Sequence, residues 1–582
     1  MIPRFRPFIG LKELRSLFYQ PKNVVTVFEN KFARMFNALD ALAFPYGRSA
    51  LWAFLKSQNI INSEVIMPAY TCSVVAHAIS ISENKPVFID ISLSDYNMDL
   101  DRLEQSITSS TRAIITTNTF GYPQNVSRLK AIIKNAEDHY GQKIWLIQDC
   151  CHSFGAEFNN ELIGSYGDVA IYALNISKIL TSIFGGVLTF QDQELANHVR
   201  LWRDMNYSKP SCLKGLKRRI YFLAAYAAFS RVFYSLTHFL WSKTSVLSSF
   251  TDKYHLDNRI HLPPDFKEMM LPVEASVGLA QLSKYHRIIR TRRQESRDYT
   301  DCLEHNPDLE LRPFNPSATY SHFVVSSSNR DKVLNFFLSK NIELGKLIDY
   351  VIPCTSPYNS YQDQSNFPNS IAASKSLLNL PLTNSCVEKV VKCFDEYLFD
   401  ELADLHIKTL SESDLSVQLG KPFVVSFYRI LHSKQYGKVF YRRSAKDNTI
   451  ISMITIITDY NGFYRQFYLD QISLRLFLVL FNLRVYPLII RSLLERSPDA
   501  LQLDLCVHLG ILTVNKEYGH EALRSLAICY DEAIDYCLSS GFSYVWGCTS
   551  TYNLRTQAFL SRRGFQQIDS RSKSRLYYLL KL

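Results

Sequence analysis

Between about Val65 and Val187 short apolar runs alternate with stretches whose apolar residues recur every three or four positions. The short runs are strand-like: Ser63 to Met67, Lys85 to Ile89, Ala113 to Thr117, Ile144 to Gln148, Val169 to Leu174 and Gly186 to Phe190. Turn and helix-start signals at Pro68, Gly121-Tyr122-Pro123 and Gly164-Ser165 separate them. Strands alternating with helices predict an α/β fold whose mostly parallel sheet is covered by helices on both faces. In such sheets a ligand sits at the carboxyl ends of the strands, so chemistry is sought there first.

Further on, Val273 to Leu303 reads as one helix with Ala, Leu and Ile at helical spacing and a basic outer face holding Arg290, Arg292 and Arg293. A smaller α+β segment follows to about residue 400. The polar, Ser- and Asp-rich stretch Leu402 to Gly420 is the best boundary, which predicts domains at 1–400 and 421–582 joined by a linker at 401–420. In the tail, strands are expected at Thr449 to Thr458, Gln502 to Val514, Tyr544 to Cys548 and Leu576 to Leu580, with helices at His520 to Ser539 and Thr556 to Arg563.

One stretch fits neither pattern. Ile220 to Trp241 is almost wholly apolar and aromatic, interrupted by Arg231 and bracketed by Lys217, Arg218, Arg219 and Lys243. Three readings stay open: a buried or dimer-interface helical hairpin, a helix lying on a membrane surface as a peripheral contact, or a span. The central Arg and the Ser, Thr and His that break the run count against the last.

Composition narrows the class. At 582 residues, 47% hydrophobic and 20% charged, the chain is a packed globular protein of more than one domain. The net charge of +11 is spread along the chain without a long basic block, so no nucleic-acid partner is expected and a mild pull on anionic small molecules is the simpler reading. The 12 Cys lack a disulfide framework and the start, Met1-Ile2-Pro3-Arg4-Phe5-Arg6, lacks an apolar run with a cleavage site, which points to the cytoplasm. Cys150 and Cys151 are adjacent, without the spacer of common chelates, and no metal is expected.

Candidate chemistry gathers near the strand ends. Lys178 follows the strand-like Tyr172-Ala173-Leu174 and precedes Gly185-Gly186; Asp149 closes the run Ile144 to Gln148, 29 residues earlier; His152 lies three residues on. Gly47-Arg48-Ser49-Ala50 opens a helix whose N–H groups and Ser49 hydroxyl are suited to a phosphate. Each has a commonplace structural use, as a cap, an ion-pair partner or a solvated surface group. Together they are the groups that pyridoxal 5'-phosphate requires: an amine to hold it (Lys178, with Ser177 beside it), a carboxylate for its pyridine nitrogen (Asp149), a group against the ring (His152) and a phosphate cradle.

In order along the chain, Phe28-Glu29-Asn30-Lys31-Phe32-Ala33, Gly47 to Ala50, Pro68-Ala69-Tyr70-Thr71, Pro86 to Asp90, Phe120 to Pro123, Asp149 with His152, Gly164 to Asp168, Lys178, Gly185-Gly186 and Gly278 to Leu282 resemble the DegT/StrS-type sugar aminotransferases. The resemblance covers residues 1 to about 400. It implies the fold type I architecture of pyridoxal-phosphate-dependent transferases, catalytic Lys178, Asp149 and His152, and a homodimer with composite sites. It also implies transfer of an amino group from a donor such as glutamate to a keto-sugar, nucleotide-linked in the family's usual manner, in polysaccharide or lipopolysaccharide precursor synthesis. A dehydratase subset has His where Lys178 stands, so the lysine favours transamination. Three departures stand out: Ala173 replaces the usual phosphate-binding Ser, Cys72 replaces an aromatic residue, and Lys267-Glu268-Met269 occupies the slot of Asn-x-Arg.

The tail carries a second constellation. Strand Leu505 to Val514, a turn, a helix, a strand, Asn553, a further helix and then Gly564-Phe565 resemble the GNAT-type N-acetyltransferases, implying a C-terminal α+β GNAT-like domain. That resemblance assigns acetyl-CoA or another acyl-CoA to Val514, Gly519, His520, Ala522 and Asn553, with the pyrophosphate on the helix-start N–H groups. The family's glycine-rich turn reads Gly519-His520-Glu521-Ala522-Leu523-Arg524 here, and Leu560 stands where a Tyr often protonates the thiolate. His508, His520, Glu517 and Glu521 are candidates to deprotonate an acceptor amine. A bifunctional enzyme is thus the leading expectation; a monofunctional aminotransferase with a non-catalytic recognition domain and a cofactor-binding regulatory protein are the alternatives.

Overall fold

A computed structural model describes all residues except 231, 244–258, 384–385, 411–414, 471–505 and 569–574, with backbone only at 242–243, 415 and 468–470. The chain divides into two compact units, Met1–Val391 and Lys392–Leu582.

The first unit is built on a seven-stranded sheet. Across it the strands run Asp40–Phe44, Gly186–Phe190, Val169–Ala173, Trp145–Asp149, Thr111–Thr117, Glu64–Pro68 and Lys85–Ile89. Only Gly186–Phe190 is antiparallel to its neighbours, so the other six carboxyl ends share one edge. Their side chains are buried on both faces, as continuous Val/Ile/Leu runs require of a covered parallel sheet. On one face Phe28, Phe32, Phe36 and Tyr172 centre an apolar cluster, and on the other Trp52, Phe54, Met67 and Val199 do. Helix Val126–Tyr140 begins under an Asn125 cap and ends at Gly141 in the left-handed region; Gln193–Asn206 begins under an Asp192 cap. A small two-stranded sheet, Phe323–Ser326 with Leu377–Leu380, completes the unit.

Several expectations are corrected. Val273 to Leu303 is two helices, Pro272–Leu282 and Tyr285–Leu303. Between them Ser283 Oγ turns back to the Ala280 carbonyl and the Lys284 amine is drawn 2.6 Å from Glu13. Arg292 is not on an outer face: it is buried, donating to the Tyr320 and Ser321 carbonyls at 3.1 and 2.9 Å, and burial lowers its pKa to about 10. The stretch read as a linker is largely helical, since Val387–Thr409 runs through it and Leu415–Leu419 follows. Ile220 to Trp241 forms parts of two helices, Cys212–Ala228 and Tyr234–Lys243, while Arg231 lies outside the described residues. Among the described residues no helix is long and apolar enough to cross a membrane.

The second unit has a six-stranded sheet in the order Gly437–Arg443, Ile450–Ile457, Cys506–Val514, Tyr544–Ser550, Arg575–Lys581, Gln566–Ile568. Ile450–Ile457 is buried at every residue. All neighbours are antiparallel except Cys506–Val514 and Tyr544–Ser550, which pair in parallel only from Cys506/Tyr544 to Leu509/Gly547. Residues 502–505 of the expected strand lie outside the described residues. Helix Gly519–Ser539 follows the central strand, and Leu554–Arg562 follows the next.

Candidate active site

Asp149 is the last residue of its strand, in register with Thr117 on one side and Ile171 on the other. Its carboxylate is buried and accepts the Cys151 N–H at 3.0 Å. The chain then turns, with Ser153 N–H on the Cys150 carbonyl, and delivers His152 to the same edge. The His152 ring is buried with Nδ1 unpartnered among the described residues, stacked 6.3 Å from the Phe120 ring and edge-on to His322 at 5.3 Å. Burial above all, then the Lys178 ammonium and His322, holds the His152 pKa well below its usual value, so the imidazole is neutral. Phe120 holds its ring there with a left-handed backbone, φ 56°, a conformation an aromatic residue adopts only when its surroundings impose it.

Lys178 leaves the neighbouring strand in a loop bonded back onto itself. Leu174 N–H donates to the Gly185 carbonyl at 2.9 Å, Ser182 N–H to the Leu174 carbonyl at 2.8 Å and Ile183 N–H to Thr181 Oγ1 at 3.1 Å. Its ammonium perturbs Cys151, His152 and His322 alike, which puts the charge among the three. Ser177 is exposed, and its hydroxyl is engaged by Asn175 Oδ1 at 2.7 Å.

Helix Gly47–Ser57 opens from the extended Tyr46 without a side-chain cap, so its first N–H groups project beyond the helix. The Ser49 hydroxyl there is fully buried and has no partner. Arg48 is buried with its guanidinium 5.3 Å over the Tyr46 ring, and Ala50 is the first residue to close the helix, onto the Tyr46 carbonyl. A Cβ on Gly47 would stand 3.0 Å from Ala173 Cβ, so the helix start abuts the strand end that leads to Lys178. An orphaned hydroxyl at an uncapped helix start, together with an orphaned ring nitrogen across from an amine and a carboxylate, fits a phosphate-bearing aromatic aldehyde.

Of the departures noted above, Cys72 caps helix Ser73–Ile81, where the Tyr350 hydroxyl accepts the Ser73 N–H at 3.1 Å. An aromatic ring from a distant segment thus borders that position. Lys267 lies 4.8 Å over the Trp52 ring and Glu268 pairs with Lys214 at 2.9 Å. His322 and Tyr350 are the neighbours that sequence reasoning missed. Both arrive from downstream loops, and only the Ser321-His322-Phe323 step into an apolar strand hinted at the first.

In the second unit the expected acyl-CoA residues do not form one polar cradle. Gly519 starts its helix at φ 48° with no side-chain cap; His520 is exposed, Ala522 is buried and Val514 ends the strand half-buried. Carboxylates surround this start: Glu521 accepts the Ala445 N–H at 3.0 Å, Glu517 is bonded to Lys408 at 2.5 Å, and Asp447 to the Tyr518 hydroxyl at 2.5 Å. Asn553 caps the next helix through Thr556 N–H at 3.2 Å, and Leu560 is buried. His508 is buried between Tyr460 and Trp546, with both ring nitrogens unpartnered.

A model of the DegT/DnrJ/EryC1/StrS aminotransferase family matches residues 13–222 and 238–394. The spore coat polysaccharide biosynthesis protein SpsC of Bacillus subtilis (strain 168) is 24% identical over 404 residues, 66% of this chain and 92% of that protein. GDP-perosamine synthase of Escherichia coli O157:H7 is 28% identical over 225 residues, 35% of this chain and 60% of that protein. The E. coli GDP-4-keto-6-deoxy-D-mannose-3-dehydratase, solved with bound hydrated PLP, shares the fold with TM-score 0.53 at 19% identity, over 68% of this chain and 99% of that one. Since the family's match spans more than half of the protein and takes in the whole edge just described, the chain belongs to the DegT/DnrJ/EryC1/StrS aminotransferase family.

Proposed function

We propose that the first unit transfers an amino group from a donor such as glutamate to a keto-sugar carried on a nucleotide, with pyridoxal 5'-phosphate held through Lys178. The observation that carries this is the meeting of the Lys178 loop, buried Asp149 and His152, and an uncapped helix start with an unpartnered Ser49 hydroxyl. The N–H groups of Gly47 to Ala50, the Ser49 hydroxyl and the Arg48 charge would hold the phosphate. Asp149 would keep the pyridine nitrogen protonated, and neutral His152 would lie against the ring. Bound there, the cofactor supplies an electron sink for the carbon that loses its proton. Lys178 Nζ, as a free amine, would take the donor's α-proton as general base. The names of the relatives support a nucleotide-sugar substrate, and a lysine at position 178 favours transamination over dehydration. A homodimer with shared sites completes this reading.

For the second unit a reading as an N-acyltransferase domain is supported by the parallel pairing of Cys506–Val514 with Tyr544–Ser550, which stops at Leu509/Gly547 and would leave room beyond it for an extended ligand. The carboxylates at the Gly519 helix start oppose a pyrophosphate there, so a recognition domain without catalysis is the competing reading.

Addition of L-glutamate to the holoprotein should shift the visible absorbance of the lysine-bound cofactor, and Lys178→Ala should abolish both that band and its reduction by borohydride. A borohydride-stable adduct in the Lys178→Ala protein would refute the assignment. Titration of the full chain with acetyl-CoA by calorimetry decides the second unit, and absence of heat leaves the recognition reading.

A further inference from the structure

The hairpin of helices Cys212–Ala228 and Tyr234–Lys243 is anchored on one face and bare on the other. Inward, at helical spacing, lie Gly215, Arg218 and Phe222. Arg218 donates to the Tyr46 hydroxyl at 2.7 Å and stands 3.0 Å from Glu274, while Arg219 Nε donates to the Leu17 carbonyl at 2.8 Å. Phe222 is buried with Tyr46, Ile183 and Phe184. Thr237 Oγ1 donates to the Ala228 carbonyl at 3.1 Å and the Tyr234 hydroxyl is bonded to Glu343, which fixes the second helix beside the first.

Outward, Leu216, Ile220, Leu223, Phe233, Leu236 and Phe239 are each between 42 and 58% exposed. So many large apolar side chains on one pair of helices exceed the scattered exposure normal for a protein surface. The segment's own charges have one sign, and its inward cations are paired with carboxylates from outside it: Lys214 with Asp265 and Glu268, Arg218 with Asp265 and Glu274. Between Asp204 and Asp252 the sequence has no acidic residue, whereas Lys209, Lys214, Lys217, Arg218, Arg219, Arg231 and Lys243 are basic. A symmetric contact with a second copy would bring the same cations together, which disfavours self-association through this face. An apolar face beside exposed Lys209 and Lys217, on a segment without acidic residues, complements acyl chains beneath anionic headgroups. The family match also breaks at 223–237, so the tip of the hairpin lies outside the region this chain shares with the family model.

We propose that this hairpin seats the protein on the surface of an anionic lipid bilayer, with the apolar face in the headgroup boundary and both helices parallel to the membrane. The full-length holoprotein, sedimented with phosphatidylcholine vesicles and with vesicles containing phosphatidylglycerol, tests this. Binding is expected to the anionic vesicles and to weaken as salt is raised. A triple variant, Ile220→Ser with Phe233→Ser and Leu236→Ser, alters only exposed side chains and should keep its thermal melt while losing vesicle binding. Lys217→Gln should weaken binding to the anionic vesicles about fivefold. The proposal is overturned if the wild type sediments with neither vesicle, or if the folded triple variant binds as well as the wild type. It is also overturned if the triple substitution splits a dimer without changing vesicle binding, because the face then belongs to a second copy of the chain.

Discussion

Replacing Gly186 by alanine should damage the proposed phosphate cradle while leaving every proposed catalytic side chain in place. Its backbone lies outside the left-handed region, so the effect is steric. The added Cβ would stand 2.4 Å from the Gly47 nitrogen and from the carbonyl carbon and oxygen of Tyr46. All three are backbone atoms at the start of helix Gly47–Ser57, and ordinary contact requires about 1 Å more. Overpacking of this kind costs about 1–3 kcal/mol of stability. Moving the helix start by that amount also misdirects its N–H groups, and losing one hydrogen bond to a charged phosphate costs about 1.5–3 kcal/mol, or roughly 10- to 150-fold in cofactor affinity. Gly47→Ala is the internal control, since its Cβ meets Ala173 Cβ at 3.0 Å and otherwise only ordinary contacts, Ala173 Cα at 3.4 Å and the Tyr172 carbonyl oxygen at 3.6 Å, so a shift of a few tenths of an ångström suffices. Cofactor dissociation constants from absorbance titration, with thermal melts of the apo proteins, should rank wild type, Gly47→Ala and Gly186→Ala in that order. A Gly186→Ala protein that binds the cofactor as tightly as wild type would refute the assignment of this helix start.

Asp149→Asn should fold normally, because an amide oxygen can still accept the Cys151 N–H, yet transaminate at least about a hundredfold more slowly for want of a charge to keep the ring nitrogen protonated. Steady-state turnover near wild type would mean that another group serves that nitrogen. In the second unit burial, then Arg575, depresses the pKa of His508 from 6.5 to about 3. The unfolded chain takes up the proton that folded His508 resists, so its contribution is intact above pH 6.5 and stability falls by about 1.4 kcal/mol per pH unit toward pH 3. Urea titrations followed through Trp546, 4.1 Å from the His508 ring, should show that His508→Leu flattens this slope; an unchanged slope would move the acid sensitivity elsewhere.

The strand ends carrying Asp149 and Lys178 were legible because a parallel strand buried on both faces is written as one unbroken apolar run, and the first polar residue after it marks the sheet edge. Asp40–Phe44 passed unread, being two alanines in five residues and opened by an aspartate, and it gains strand character by pairing with Gly186–Phe190. Charge pattern misplaced Arg292, whose burial is set by the Tyr320 and Ser321 carbonyls, acceptors that no local pattern reveals. The polar composition of 401–420 concealed a helix whose buried Leu402, Ala403 and Leu405 occupy one face. His322 joins His152 only through the tertiary fold.

The loop after Lys178 contains a further debt to distant residues. Ile183 is β-branched yet holds φ at 75°, a conformation that costs such a residue about 1–3 kcal/mol. Hydrogen bonds within the loop flank it, from Ile183 N–H to Thr181 Oγ1 at 3.1 Å and from Ser182 Oγ to the Phe184 carbonyl; the side chain is wholly buried with Tyr46, Phe184, Phe222 and Leu271, and that burial offsets the strain. Excised as a peptide, residues 178–185 would relax to ordinary backbone angles and the lysine would lose its bearing. The Lys178 amine is therefore positioned in part by partners far away in sequence, so transplanting this loop into another scaffold without Phe222 and Leu271 would transfer its letters and not its shape.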